Sequence, residues 1–260
     1  MDVKGARIVI TGASTGIGRA AAIAFAEAGG HIHLIARRTA LLEKVADVCR
    51  ASGVEAHVHT ADVRDREAIM AIADEVEALG GADVAIANAG VMALRPFLDM
   101  DWADVERQIN VNLYGVIHVM QAFGRHMRRR DRGVLMPVSS ILAEQALPRY
   151  SVYCASKFGV RAVADALAME LRGTGVEVVH VLPGATDTEL HSHMDPSDLP
   201  RTTREAKRVP PQQVARAMVK AVRRPRQNVL CDGRARLIYW GKRLVPGLVS
   251  ALVKQATRKG

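Results

Sequence analysis

The sequence predicts an α/β fold: one domain built on a doubly wound parallel sheet of about seven strands, followed by a basic helical extension. Three observations carry this. Short apolar segments alternate with longer amphipathic ones along most of the chain. The short segments are continuous apolar runs rather than alternating ones, as strands covered on both faces require. A glycine-rich turn, TGASTGIG at 11–18, joins the first short segment to the first long one.

The elements follow in order. ARIVIT (6–11) is the first strand, and an Ala-rich helix over 16–29 stops at Gly29-Gly30. HIHLIA (31–36) is the second strand, followed by a helix over 39–52 that ends before Gly53. EAHVHTA (55–61) is the third strand, with a helix over 65–79 before Gly80-Gly81. VAIAN (84–88) is the fourth, and two helical stretches follow, near 101–112 and 113–130. GVLMPVSS (133–140) is the fifth, then a helix over 151–172, and VEVVHVLP (176–183) is the sixth. A helix over 211–224 and a seventh strand, QNVLC (227–231), close the domain. Pro137 falls inside the fifth strand, where proline cannot donate to a ladder, so a bulge or a shorter strand is expected there.

Composition bounds the function. The chain has 260 residues, 49% of them hydrophobic, enough for a large core and unlike a disordered chain. No run is apolar and long enough to span a membrane, and MDVKGARIVITG has no signal-peptide pattern. Cys49, Cys154 and Cys231 are odd in number and far apart, which fits neither a disulfide framework nor a zinc ribbon, and a reducing cytoplasm is expected. Of the net charge of +9, residues 201–260 contribute 16 Lys+Arg against 2 Asp+Glu. A solvated basic face, an anionic membrane, an acidic substrate and nucleic acid are the readings to weigh. Nucleic acid is set aside, because no reading helix or aromatic platform is present.

The glycine-rich turn is a candidate phosphate site. Gly12, Gly16 and Gly18 let the backbone turn tightly and approach a pyrophosphate at the following helix N-terminus, with Ser14, Thr15 and Ile17 between them. The competing reading is a tight turn with nothing bound. After the second strand stand Arg37 and Arg38 and no acid, which favours a 2′-phosphate and hence NADP(H); Arg37 is the expected partner with Arg38 close by. Alternatively both arginines simply begin a surface helix. Asp62, followed by Val63, is positioned to accept from the adenine amino group, and Asn88, Ala89 and Gly90 to place small residues against the cofactor.

Taken with Ser140, the pair Tyr153 and Lys157 four residues apart, and Pro183-Gly184, these motifs resemble the short-chain dehydrogenase/reductase family over about residues 5–232. The resemblance implies a Rossmann-type domain over 1–233, with 234–260 as the extension. It implies Tyr153 as acid/base, Lys157 as its partner, Ser140 (less so Ser139) as the carbonyl-orienting hydroxyl, and Asn112 as support for a water relay. It further implies that Pro183, Gly184, Thr186 and Thr188 belong to the nicotinamide loop, that Ala36-Arg37 marks the NADP-preferring branch, and that the chain forms a homodimer or homotetramer. Ala87 and Pro137 depart from the family pattern, and the extension is longer than in many members.

A free tyrosine titrates near 10, and Lys157, one helical turn on, is expected to lower that value. The implied reaction is hydride transfer between NADP(H) and a carbonyl or secondary alcohol, with a lipophilic ketone or steroid-like alcohol as substrate. The alternatives are a 3-oxoacyl thioester on an acidic carrier protein and a non-catalytic NADP(H)-binding redox sensor. His31, His33, His57 and His59 lie on adjacent strands and read as structural histidines rather than a metal site. His191 and His193 fall in the segment where the family keeps its substrate lid. Residues 235–254 read as two short helices broken at Pro246-Gly247, packed on the pocket or another subunit, or lying at a membrane interface.

Overall fold

The computed structural model describes residues 1–191, 204 and 206–257. Six parallel strands form the main sheet in the order β3-β2-β1-β4-β5-β6: β1 Arg7–Thr11, β2 His31–Ala36, β3 Ala56–Thr60, β4 Val84–Ala87, β5 Gly133–Pro137 and β6 Val176–Val178. A second parallel pair, β7 His180–Leu182 and β8 Asn228–Leu230, continues beside β5 through a bridge between Val138 and Val181. The order reverses between β1 and β4, which opens a crevice at the carboxyl ends of those strands.

The expected sixth strand is therefore two strands. Val179 N donates to Leu135 O at 2.8 Å, and Ser139 N donates to Val181 O at 2.9 Å. In a parallel ladder the rung between those two belongs to Pro137, which has no N–H. The ladder skips that rung, β5 ends at Pro137, and the opposing chain divides at Val179.

Helices cover both faces. On one face α1 (Gly16–Glu27), α2 (Thr39–Arg50) and α7 (Pro211–Arg223) bury alanine, valine and leucine side chains with Phe25 against Ile8, Ile10 and Ile32. Ala20, Ala21 and Ala22 are all buried, and such small side chains let α1 lie close to the sheet and to α7. On the other face α3 (Arg66–Ala78), α5 (Gly115–Arg129) and α6 (Ser151–Glu170) enclose Val9, Ile69, Phe123 and Leu135. α4 (Trp102–Ile109) runs into α5 through one wide π turn, Asn110–Tyr114, rather than the break expected near 112. Single π turns inside a helix mark functional positions, and this one holds the buried Asn112.

α8 (Gly233–Leu244) and α9 (Pro246–Thr257) follow β8, divided at Val245 as Pro246 predicts. α8 packs Ala235 and Tyr239 on Ile141. His33 lies opposite His57 in the sheet, stacks on it, and shares a 3.0 Å contact through Nδ1 with Nε2 of His59. Among the described residues no group of three or more His, Cys, Asp or Glu side chains is placed to hold a metal ion.

Candidate active site

The phosphate end is built from backbone. Gly12 adopts φ +65°, and a Cβ there would lie 2.8 Å from Cα of Ala89. A Cβ on Gly18 would overlap the carbonyl oxygen of Gly12, so only glycine lets α1 begin this close to the turn. Thr15 caps α1 without a side-chain hydrogen bond, and the first turn holds no acid. Its N–H groups are therefore left to an anion.

Thr11, which sequence reasoning passed over, is the hub of this end. Its Oγ1 accepts from the N–H groups of Asn88 at 3.0 Å and Ala89 at 3.2 Å. The Asn88 side chain lines the cleft, but its amide is engaged elsewhere: Nδ2 donates to Thr11 O at 3.0 Å and Gly12 O at 3.4 Å. Asn88 thus braces the glycine turn, where the sequence suggested only a small residue against a ligand.

Both arginines after β2 line the cleft, and they differ. Arg38 Nη2 donates to Ser14 Oγ at 3.2 Å and Thr15 Oγ1 at 3.3 Å, which turns it onto the glycine-rich loop. Arg37 is more exposed and lies 3.7 Å from Asp62. Burial raises the pKa of Asp62, but Arg64, bonded through backbone and side chain, outweighs this and holds it below the usual value. Gly16, Ile17, Val63 and Gly90 complete the wall of a cleft of about 850 Å³.

The reacting end gathers residues from α6, the turn after β5 and the π turn. Tyr153 and Lys157 share one face of α6 and both reach the cleft floor. Lys157 Nζ donates to Val138 O at 3.1 Å, and Ser139 Oγ donates to Lys157 O at 2.9 Å. Ser140, not Ser139, hydrogen-bonds the Tyr153 hydroxyl. Its Oγ also accepts from Leu142 N at 3.1 Å, which fixes its rotamer. Asn112 grips Val91 at both N and O and donates to Ser156 Oγ at 3.2 Å. A Cβ on Gly90 would lie 3.5 Å from Asn112 Oδ1 and 3.8 Å from Lys157 Nζ, so glycine keeps the space between them open.

The electrostatics correct one expectation. Burial raises the pKa of Tyr153, and the hydrogen bond to Ser140 only partly opposes it. Burial also pulls the pKa of the Lys157 ammonium down to about 8. Desolvation is the leading cause in both groups.

A smaller apolar pocket of about 170 Å³ opens from Tyr153 and Ser140. Pro183, Gly184, Thr186 and Thr188 line it, and Thr188 also reaches the cleft. Gly184 N donates to Asp232 Oδ2 at 3.1 Å, while Asp232 Oδ1 caps α8 through Ala235 N at 2.8 Å. Glu144, just beyond Ser140, is buried between Arg161 of α6 at 2.7 Å and Arg243 of α8 at 3.0 Å. Neither Asp232 nor Glu144 stood out in the sequence, since each connects segments far apart in the chain. His193 and the segment around it lie outside the described residues.

The groove fits a dinucleotide: a glycine cradle at an uncapped helix N-terminus at one end, and a buried Ser-Tyr-Lys set at the other. Comparison with known proteins agrees. Residues 6–198 match the family model described as short chain dehydrogenase. The chain is 34% identical over 227 residues to glycine betaine reductase ATRR of Emericella nidulans, covering 86% of this chain and 18% of that protein. It is 32% identical to sepiapterin reductase of Chlorobaculum tepidum, covering 86% of this chain and 92% of that one. An alcohol dehydrogenase from Thermococcus sibiricus, complexed with 5-hydroxy-NADP, superposes with a TM-score of 0.77 at 27% identity, over 87% of this chain and 96% of that one. A short chain dehydrogenase/reductase from Burkholderia phymatum in complex with NAD gives a TM-score of 0.84 at 25% identity, over 94% and 96%.

The chain belongs to the short-chain dehydrogenase/reductase family. The chain spans about half the length, or less, of several curated relatives it matches, the betaine reductase among them.

Proposed function

We propose that the chain reduces the carbonyl of a lipophilic ketone, or oxidises the matching secondary alcohol, with NADP(H). The observation that carries this is the position of the Tyr153 hydroxyl. It is buried, bonded to Ser140, and sits where the cofactor cleft meets the apolar pocket. When bound, the nicotinamide supplies or accepts the hydride.

The chain's own residues do the rest. Ser140 donates to the substrate carbonyl oxygen and holds it beside Tyr153, which gives it a proton. Lys157 steadies the phenolate that results. Asn112 positions the Val91 segment and, with Gly90, keeps room for a water by which Tyr153 is reprotonated. Arg38 and Arg37 at the far end support NADP(H) over NAD(H), because both are cationic and no acid awaits a ribose 2′-hydroxyl at the end of β2. The family's habit of assembling supports a homodimer or homotetramer.

A second substrate reading has its own observation. Arg208 and Arg234 border the apolar pocket, and among the described residues neither guanidinium meets an ion-pair or hydrogen-bond partner. A 3-oxoacyl thioester carrying phosphate, free or on an acidic carrier protein, would meet them.

The test is NADPH oxidation across steroid ketones, 3-oxoacyl thioesters, aromatic aldehydes and small diketones, with Tyr153→Phe alongside. Turnover that the variant abolishes is expected, and the best substrate selects between the two readings. NADPH binding without turnover of any compound, identical in the variant, would replace the reductase by a cofactor-binding sensor.

A further inference from the structure

The outer face of α8 and α9 carries a run of exposed apolar side chains, as does the segment with Phe97, Leu98 and Trp102. Leu237, Trp240 and Leu244 are 75%, 54% and 74% exposed, and their spacing places them on one stripe of α8. Leu248 and Leu252, 59% and 55% exposed, form a matching stripe one turn apart on α9. Val245 at the corner is exposed as well. The two helices are held together: Gly241 admits Val249 closely, and Lys242 Nζ donates to Ser250 Oγ at 3.3 Å. α8 is fixed to the body by the Glu144–Arg243 pair and the Asp232 cap. The apolar stripes therefore belong to a rigid structure rather than to a loose end.

Charge identifies what covers this face. From residue 233 onward the sequence holds Arg234, Arg236, Lys242, Arg243, Lys254, Arg258 and Lys259, and no aspartate or glutamate. Arg243 is engaged by Glu144 and Lys242 by Ser250, but Arg236 and Arg234 flank the α8 stripe by helical position, so a second copy docking through the same face would set these cations against their own copies. A polynucleotide would answer the charge but not the leucines. An anionic lipid surface answers both, with leucine and tryptophan entering the acyl boundary and lysine and arginine meeting the headgroups. No described helix is long and apolar enough to cross a membrane, so the contact lies along the surface.

We propose that α8 and α9 form a docking face for an anionic lipid bilayer. The opposite side of α8 lines the apolar pocket through Ala235 and Ile238, so docking sets that pocket beside the lipid. The docking itself does not depend on the reductase reading and is measured without turnover.

The experiment is co-sedimentation of the full chain with vesicles of phosphatidylcholine, with and without phosphatidylglycerol. The protein is expected to pellet with the phosphatidylglycerol vesicles, not with phosphatidylcholine alone, and to be released by salt. The chain has two tryptophans, so Trp102→Phe leaves Trp240 as sole reporter, and its emission is expected to shift blue on binding. Leu237→Ser with Leu244→Ser should weaken partitioning by about tenfold or more, with unchanged thermal unfolding and turnover of a water-soluble ketone. Failure of the wild type to pellet, or equal pelleting of the double variant, overturns the proposal. So does a wild-type dimer that the double variant renders monomeric, which assigns the face to a second copy.

Discussion

Lys157 holds its ammonium 5.8 Å from the centre of the Tyr153 ring while donating to Val138 O at 3.1 Å. The lysine is thus fixed by the end of β5, on a carbonyl just past Pro137, and not by the tyrosine it serves. Burial puts its pKa at about 8. The protonated form is the useful one, so kcat/KM for carbonyl reduction is expected to fall as pH rises through about 8. A pH profile of the free enzyme's kcat/KM checks this. Tyr153→Phe should lower kcat by roughly 10²–10⁴-fold, the usual share of a general acid, while leaving the cofactor's Kd nearly unchanged.

Arg38 lies on the glycine-rich loop, whereas Arg37 leans towards Asp62. The sequence favoured Arg37 for the 2′-phosphate, and the geometry shifts the expectation to Arg38. Arg38→Ala should raise KM for NADPH by about 10–100-fold, as loss of a charge-assisted hydrogen bond does. KM for NADH should barely move, and Arg37→Ala should have the smaller effect. Parallel kinetics with both cofactors decide it.

Glu144 is buried, and its two arginine partners are each about one-third exposed at 30% and 32%. Solvent screening of the arginines reduces what the triad contributes, though an uncompensated buried charge remains costly. Glu144→Ala leaves Arg243 without its carboxylate and Arg161 with Asp165 alone. It should cost about 1–3 kcal/mol, read as a lowered Tm in thermal unfolding.

His33 is buried in the sheet, and burial, with His59 and His57 beside it, lowers its pKa to about 3. Its folded value lies below the unfolded value near 6.5, so the unfolded chain binds the extra proton. Stability is therefore full above about pH 6.5 and declines as pH falls towards 3, by about 2 kcal/mol at pH 5 from this group. His33→Gln should flatten that decline in Tm-versus-pH curves.

Much of the molecule was legible because its determinants are local. The strand–helix alternation, the glycine turn and the four-residue step from Tyr153 to Lys157 each lie within one short stretch. What escaped depends on distant partners. Pro137 splits a strand some forty residues further on, and nothing near Val179 announces it. Thr11 matters through Asn88, and Asp232 through Gly184. The direction of the Tyr153 shift required its burial, which spacing cannot supply.

Asp232 serves two clients with one carboxylate, the Gly184 backbone and the first turn of α8. A chain ended at Asp232 would lose one of them and leave the other to a side chain free to rotate. A chain ended at Leu244 would keep both, together with Arg243 on Glu144. For anyone building chimeras, the splice point is Val245: foreign tails grafted there keep the Asp232 and Glu144 contacts, while grafts at Gly233 replace Arg234, Ala235 and Ile238 in the pocket wall.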